Sequence, residues 1–243
     1  MEVKMIAVCL GAALLAGFIH GALGMGFGMI AMAVVTLFMP YNNASAIVAV
    51  ALLVLVSQVS ITLRHYIDWR NILAPCLSLT IGKIIGIVLM MRLQTPFLRI
   101  SLGVFLVIYS ASQLLNFNME RLLRADPRGV VTCGLGGLFG GVFNVSGPFA
   151  SIHCQEKYGD DPKAYAANMN MIFVPSAIVA VGMHFFYGNF TPACLWGSGF
   201  MVLGVLAATS LGVAVLRRIN VQLLRRLSYL YIIIMGLVIC VFG

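Results

Sequence analysis

Charge is what this sequence has least of. Asp, Glu, Lys and Arg make up 9% of its 243 residues, where an average soluble domain carries roughly a quarter. Set against 61% hydrophobic residues and a mean hydropathy of +1.03, that scarcity excludes a soluble globular protein. Eight membrane spans of roughly 20 residues would use about 160 positions, which leaves no room for a nucleotide-binding module or a solvated catalytic domain. Patterned cysteine is also missing. Cys9, Cys76, Cys133, Cys154, Cys194 and Cys240 form no CxxC or Cys/His spacing. They say nothing about redox compartment and read as small apolar fillers. No metal site or cofactor is expected.

The third absence is a carboxylate inside a span. All seven acidic residues, Glu2, Asp68, Glu120, Asp126, Glu156, Asp160 and Asp161, fall in loops or near segment ends. Proton- and cation-coupled carriers place Asp or Glu in the bundle interior, so a carboxylate relay and a cation ligand are both lacking. The net charge of +8 is no nucleic-acid footprint, because the basic residues cluster at segment ends, where they set orientation in a bilayer. The apolar run after Lys4 continues to Phe38 with no small-residue cleavage site before it, and reads as retained.

Apolar runs cover about 5–39, 44–63, 72–91, 98–116, 129–155, 164–187, 192–216 and 227–242. The most polar stretch lies between the fourth and fifth and divides the chain into an N-terminal membrane repeat (1–116), a basic linker (117–128) and a C-terminal repeat (129–243). A slide of 126 residues places Gly86 on Gly212 and Phe97-Leu98-Arg99 on Leu223-Leu224-Arg225. A slide of 119 places Ser57 on Ser176, and one of 120 places Gly17 and Gly21 on Gly137 and Gly141. The order is kept and the offset changes only in loops, as a duplication requires. If all eight segments cross, the two sides receive 6 and 8 Lys/Arg. If the first segment of each half returns to its own side, one side keeps Lys4, Arg92 and Arg99 and the other collects the remaining 11. The positive-inside rule prefers the second arrangement, which makes the repeats inverted with both termini outside. The expected fold is an all-α polytopic membrane protein of two four-segment inverted repeats, each opening with a broken or re-entrant Gly-rich helix.

Those first segments hold Gly17, Gly21, Gly24, Gly26 and Gly28 in one half, and Gly134, Gly136, Gly137, Gly140, Gly141 and Gly147-Pro148 in the other. Gly- or Pro-interrupted segments at matching places in two halves point to a transporter's binding site, against the plainer role of close helix packing. Pro148 disfavours helix at Gly147, so a break is expected there. A half-helix starting at a break aims N–H groups and a positive dipole end at the cavity, which suits an anion. Asn144 and Ser146 could add donors, and Ser57, Gln58, Asn168, Asn170 and Ser176 could complete the site or simply bond helix to helix. Lys83 is the one strongly basic residue well within a span, either functional or snorkelling to an interface. His184, near a segment end, is expected to be interfacial, and His20 and His153 are weaker candidates.

The motifs Gly17-Phe-Ile-His-Gly-Ala-Leu-Gly-Met-Gly-Phe-Gly28 and Gly137-Leu-Phe-Gly-Gly-Val-Phe-Asn-Val-Ser-Gly-Pro148 each open a half that ends in a short basic connector and a final helix. In this the chain resembles the sulfite exporter TauE/SafE family, also called the toluene-sulfonate uptake permease family. The resemblance covers nearly the whole chain and implies secondary transport of a small sulfur-containing anion such as sulfite or a sulfonate. It maps the family's glycine motifs onto Gly21 to Gly28 and Asn144 to Pro148. Met25 and Phe27 interrupt glycines that are often adjacent in the family.

The expected substrate-binding set is therefore Gly21, Gly24, Gly26, Gly28, Ser57, Gln58, Lys83, Asn144, Ser146, Gly147, Pro148, Asn170 and Ser176. The expected partners are a small inorganic or organosulfur anion and the lipid bilayer of a bacterial cytoplasmic (inner) membrane, with a homodimer left open and nucleic acid excluded. Two other classes compete. Met25, Met29 and Met32, spaced for one helical face, would suit a Cu(I) permease. A membrane enzyme or redox subunit would need a nucleophile beside a base, which the neighbours His153-Cys154 do not form.

Overall fold

The computed structural model describes residues 2–115, 126, 128–215 and 221–242. Every regular element among them is helical. The first half holds α1 (Glu2–Leu23), α2 (Phe27–Val35), α3 (Tyr41–Thr62), α4 (Trp69–Arg92) and α5 (Thr95–Leu114), with one 3-10 turn at Arg64–Tyr66. The second half holds α6 (Val130–Phe143), α7 (Gly147–Tyr158), α8 (Pro162–Phe186), α9 (Pro192–Val215) and α10 (Val221–Phe242). Seven of these, α1, α3, α4, α5, α8, α9 and α10, are long and apolar enough to cross a membrane. The polar linker expected at 117–128 lies outside the described residues apart from Asp126 and Arg128.

Local chemistry sets the helix ends. Pro96, Pro148 and Pro162 stand in the first turns of α5, α7 and α8, where a missing N–H leaves nothing unsatisfied. Ahead of α6, Asp126 accepts hydrogen bonds from the Val130 and Thr132 amides and the Thr132 hydroxyl at 2.8–3.0 Å. Burial pushes the Asp126 carboxyl up, but these bonds outweigh it and hold the group below the usual range. The polar turn after α3 is clamped by Asn168 of α8, which accepts from the Asp68 amide at 2.7 Å and donates to the Tyr66 carbonyl at 3.0 Å.

The halves interlock rather than stand apart. α1 packs along α9 and α6 along α4; α3 also meets α9, as α8 meets α4; α3 pairs with α8 and α5 with α10. Each of these main partnerships thus has a counterpart with the halves exchanged. The tightest crossings match too. A Cβ on Gly212 would lie 2.9 Å from the Gly21 Cα, and one on Gly86 would lie 2.9 Å from the Gly141 Cα. These are the residues that slides of 126 and 120 superpose. The same slide of 126 sets Lys83 on Thr209, whose hydroxyl reaches the Gly17 carbonyl at 3.4 Å. The first segments differ in one respect: α1 begins eight residues earlier than α6 when residue 10 is set against 130.

Polarity runs inside out. Leu73, Leu77, Ile81, Ile85 and Leu89 form an exposed apolar stripe on α4, and Leu223, Leu227, Leu230, Ile234 and Val241 do the same on α10. Lys83, His20, Asn144, Asn168, Asn170 and His184 are buried. An apolar shell around a polar interior is what hydrocarbon solvent demands. All six cysteines are free, five of them buried, as fillers should be.

Two kinds of glycine follow from this packing and separate in a stability assay. Gly86→Val drives new atoms into the Leu138 carbonyl and the Gly141 backbone, and should lower stability by about 1–3 kcal/mol, the usual range for overpacking. Gly182→Ala, on α8 with no atom within 4 Å of its new methyl, should be neutral or stabilising by up to about 1 kcal/mol. Thermal unfolding in detergent measures both; equal midpoints for the two variants would mean that the α4–α6 crossing is not tight.

Candidate functional site

Each first segment is interrupted at the same register. After α1, Gly24 and Gly26 take φ of +76° and +107°; after α6, Asn144 takes φ of +58°. Gly24 and Asn144 are the pair that a slide of 120 superposes. Backbone in this left-handed region is open to glycine and, among other residues, most readily to asparagine. The second interruption covers Asn144 to Ser146, three residues ahead of the expected break at Gly147-Pro148. Gly147 and Pro148 instead form the first turn of α7, because proline begins a helix more readily than it interrupts one.

The two interruptions touch. A Cβ on Gly28 would collide with the Asn144 carbonyl oxygen, and a Cβ on Gly147 would sit 3.3 Å from the Met25 Cβ. Between them lies a cavity of about 20 Å³ lined by His20, Met25, Gly26, Phe27, Gly28, Leu52, Lys83, Asn144, Ser146, Gly147 and Phe173. That volume holds a single water molecule, whose threshold is roughly 10–15 Å³. The lining includes the N-terminal ends of both α2 and α7. Lys83 is 1% exposed and has no salt-bridge or hydrogen-bond partner among the described residues. The Ser146 hydroxyl is buried with no partner.

Around this cavity the other polar groups are committed. The Phe27 amide approaches the His20 Nδ1 at 3.4 Å, and the His20 Nε2 lies 3.0 Å from the Asn170 Oδ1. Nδ1 is therefore the acceptor and Nε2 carries the hydrogen. The Asn144 amide nitrogen donates to the Ser45 hydroxyl at 2.8 Å and to its carbonyl at 3.2 Å. The Ser45 hydroxyl in turn lies 3.2 Å from the His184 Nε2, and the His184 Nδ1 lies 2.9 Å from the Asn189 amide nitrogen. His184 is 1% exposed and so is not interfacial; it ends its helix, but α3 covers it.

Six residues read from sequence therefore meet in one cavity: Gly26, Gly28, Lys83, Asn144, Ser146 and Gly147. The others do not line it. Gly21 serves the α1–α9 crossing, and Gly24 faces the ring of Tyr165. Asn170 is one bond removed, behind His20, and Ser176 donates to the carbonyl of Phe173 at 2.8 Å. Pro148 borders a neighbouring space. Ser57 is half-buried on α3, and Gln58 donates to the Leu206 carbonyl and the Ser210 hydroxyl on α9. Asn168 is the turn clamp described above. Met25 lies in the interruption, outside α2, so it does not share a helical face with Met29 and Met32. Phe27, Leu52 and Phe173 were missed: they stand in apolar runs with nothing to mark them. His20 was visible inside the first glycine motif, but its pairing with Asn170 across 150 residues was not.

A family model for the sulfite exporter TauE/SafE family matches residues 9–239, and the chain belongs to that family. No curated protein and no solved structure matches the chain.

Position 144 allows a direct test of the interruption. Asn144→Gly keeps the left-handed backbone accessible and loses only the amide's hydrogen bonds, about 1 kcal/mol. Asn144→Val should destabilise by a further 1–2 kcal/mol or so, because a β-branched residue resists positive φ. Equal unfolding midpoints for the two variants would show that backbone conformation is not what asparagine supplies here.

Proposed function

We propose that this chain is a secondary transporter of a small sulfur-containing anion, such as sulfite or a sulfonate, working by alternating access across the cytoplasmic membrane of a bacterium. Membership of the sulfite exporter TauE/SafE family supports transport. The observation that carries the choice of an anion is the central cavity. One unpaired lysine and two helix N-termini converge on it, and no acidic side chain is among its lining residues. A buried ammonium is expensive in a membrane interior unless something compensates it, and a bound oxyanion does so. The backbone N–H groups opening α2 and α7, the Ser146 hydroxyl and the Lys83 ammonium supply donors and positive potential without any charge that would repel the substrate.

At about 20 Å³, the cavity is smaller than an oxyanion, which fits a closed conformation that must open to load. The interruptions at Gly24–Gly26 and at Asn144–Ser146 are the natural hinges, since their backbone is held by few regular hydrogen bonds. We read the two halves as inverted repeats with both termini outside. The basic-residue count and the exchange of helix partners between halves support that reading, and the paired interruptions then meet at the pseudo-symmetric centre.

Flux into proteoliposomes under an imposed potential tests the reading, comparing sulfite, thiosulfate, sulfate, a small sulfonate and Cu(I). Saturable flux of a sulfur oxyanion is expected. Lys83→Met should reduce it by about tenfold or more, the effect of losing one charge-assisted hydrogen bond, while the protein stays monodisperse in detergent. Undiminished flux would remove Lys83 from the site, and flux of Cu(I) alone would overturn the anion reading. Tags placed at both termini should be reached by impermeant reagents from outside intact cells; tags reached only after lysis would overturn the inverted topology.

A further inference from the structure

Two more spaces lie beside the central cavity, and the three share lining residues in succession. The outermost is about 210 Å³ and is bordered by Gly24, Gln155, Tyr165 and Arg225. The next is about 50 Å³ and shares Gln155, Tyr165 and Arg225 with it. That throat and the central cavity have one lining residue in common, Met25. From outside inward the room falls from 210 to 50 to 20 Å³. The lining residues of all three include two cations, Arg225 and Lys83, and no carboxylate.

We propose that Arg225 is a second anion-binding station, ahead of Lys83 on the same route, and that the Met25 side chain is the barrier between the two. The inference rests on the transport reading above. A guanidinium presents a planar fork suited to two oxygens of an oxyanion, and Gln155 contributes an amide beside it in both outer spaces. The station is water-accessible: Arg225 is exposed and the outer space is the widest of the three. Capture there exchanges one hydration layer for fixed donors before the narrower passage. Lys83, with no hydrogen-bond partner among the described residues, is the next and more enclosed cation.

Met25 is well placed to act as a barrier. It stands between Gly24 and Gly26, both with positive φ, so its side chain is carried on backbone that helical hydrogen bonds do not hold. A Cβ on Gly147, the first residue of α7, would lie 3.3 Å from the Met25 Cβ, and Met25 is 7% exposed. A rotation of this short segment, or of the flexible thioether alone, joins the throat to the cavity. The Tyr165 ring, whose Cε1 lies 3.0 Å from where a Gly24 Cβ would be, couples the same segment to the outer space.

The test uses the full-length protein and thiol reagents of opposite charge, an anionic sulfonatoethyl and a cationic trimethylammonioethyl methanethiosulfonate. A reporter thiol at the vestibule is introduced by Gln155→Cys, with the wild-type protein as the blank. Its anionic-to-cationic labelling ratio should fall about 25-fold when Arg225→Gln is added, because one unit charge at close range in a wet site changes each reagent's rate about fivefold and in opposite directions. The ratio should be retained with Arg225→Lys. A second reporter, Ser146→Cys, should label slowly, and faster once Met25→Ala is added. A ratio indifferent to Arg225→Gln overturns the station, and labelling at position 146 indifferent to Met25→Ala overturns the barrier. Neither readout needs transport. In the matching flux assay, Arg225→Gln should raise the KM for sulfite and leave the maximal rate largely unchanged. A wild-type protein with no anion flux but the expected labelling ratios would sink the transport reading and leave the anion station standing.

Discussion

Hydrocarbon offers a peptide group no hydrogen bond, so a helix interrupted inside a membrane must find partners for its freed backbone within the protein. Much of this fold answers that requirement. The Tyr41 hydroxyl takes up the Val142 carbonyl at 2.9 Å, the His20 ring receives the Phe27 amide, and the Asn144 side chain ties its own segment to Ser45. Neighbouring helices must come close enough for such bonds, and glycine permits the approach: Gly28 admits the Asn144 carbonyl, while Gly21, Gly86, Gly141 and Gly212 let α1 meet α9 and α4 meet α6 backbone to backbone. Lys83 and the Ser146 hydroxyl, neither with a hydrogen-bond partner among the described residues, both line the central cavity.

The parts of this arrangement that sequence reveals are those with a chemical signature strong enough to stand out from an apolar background. A lysine amid isoleucine and glycine, and glycine clusters repeated at a constant offset, are visible because each is anomalous for a lipid-soaked helix. The register of the two interruptions follows from that offset, and the second lies three residues ahead of the break expected at Gly147-Pro148, because proline begins α7 rather than ending α6. Helix-to-helix partnerships are not visible in the same way. Ser57, Gln58 and Asn168 carry the donors a site needs, yet α9 absorbs Gln58 and the turn after α3 absorbs Asn168. Which neighbour a polar side chain meets depends on helix rotation, and in a chain apolar on nearly all sides the periodicity that would report rotation is weak. Leu52 and Phe173 give no signal for the same reason: an apolar residue lining a cavity has the composition of one facing lipid.

Family membership and geometry speak to different levels of the problem. The family match spans residues 9–239 and says that the chain is of a transporter kind. The cavity narrows the chemistry, because its lining carries positive charge and donors with no balancing carboxylate.

The match of Lys83 with Thr209 has a further bearing. In a carrier built from two equivalent halves, the inward- and outward-facing forms would be related by the pseudo-two-fold axis and equal in energy, and the resting protein would divide itself evenly between them. Here one of the two positions that a slide of 126 superposes carries a lysine and the other a hydroxyl bonded to a helix carbonyl. Under the alternating access proposed above, rocking the halves would move a single cation relative to the membrane, with no cation at the superposed position to offset it. Under that proposal the unloaded protein would have an intrinsic resting side, and its return stroke would be sensitive to membrane voltage even when the loaded stroke, with its charge neutralised, is not.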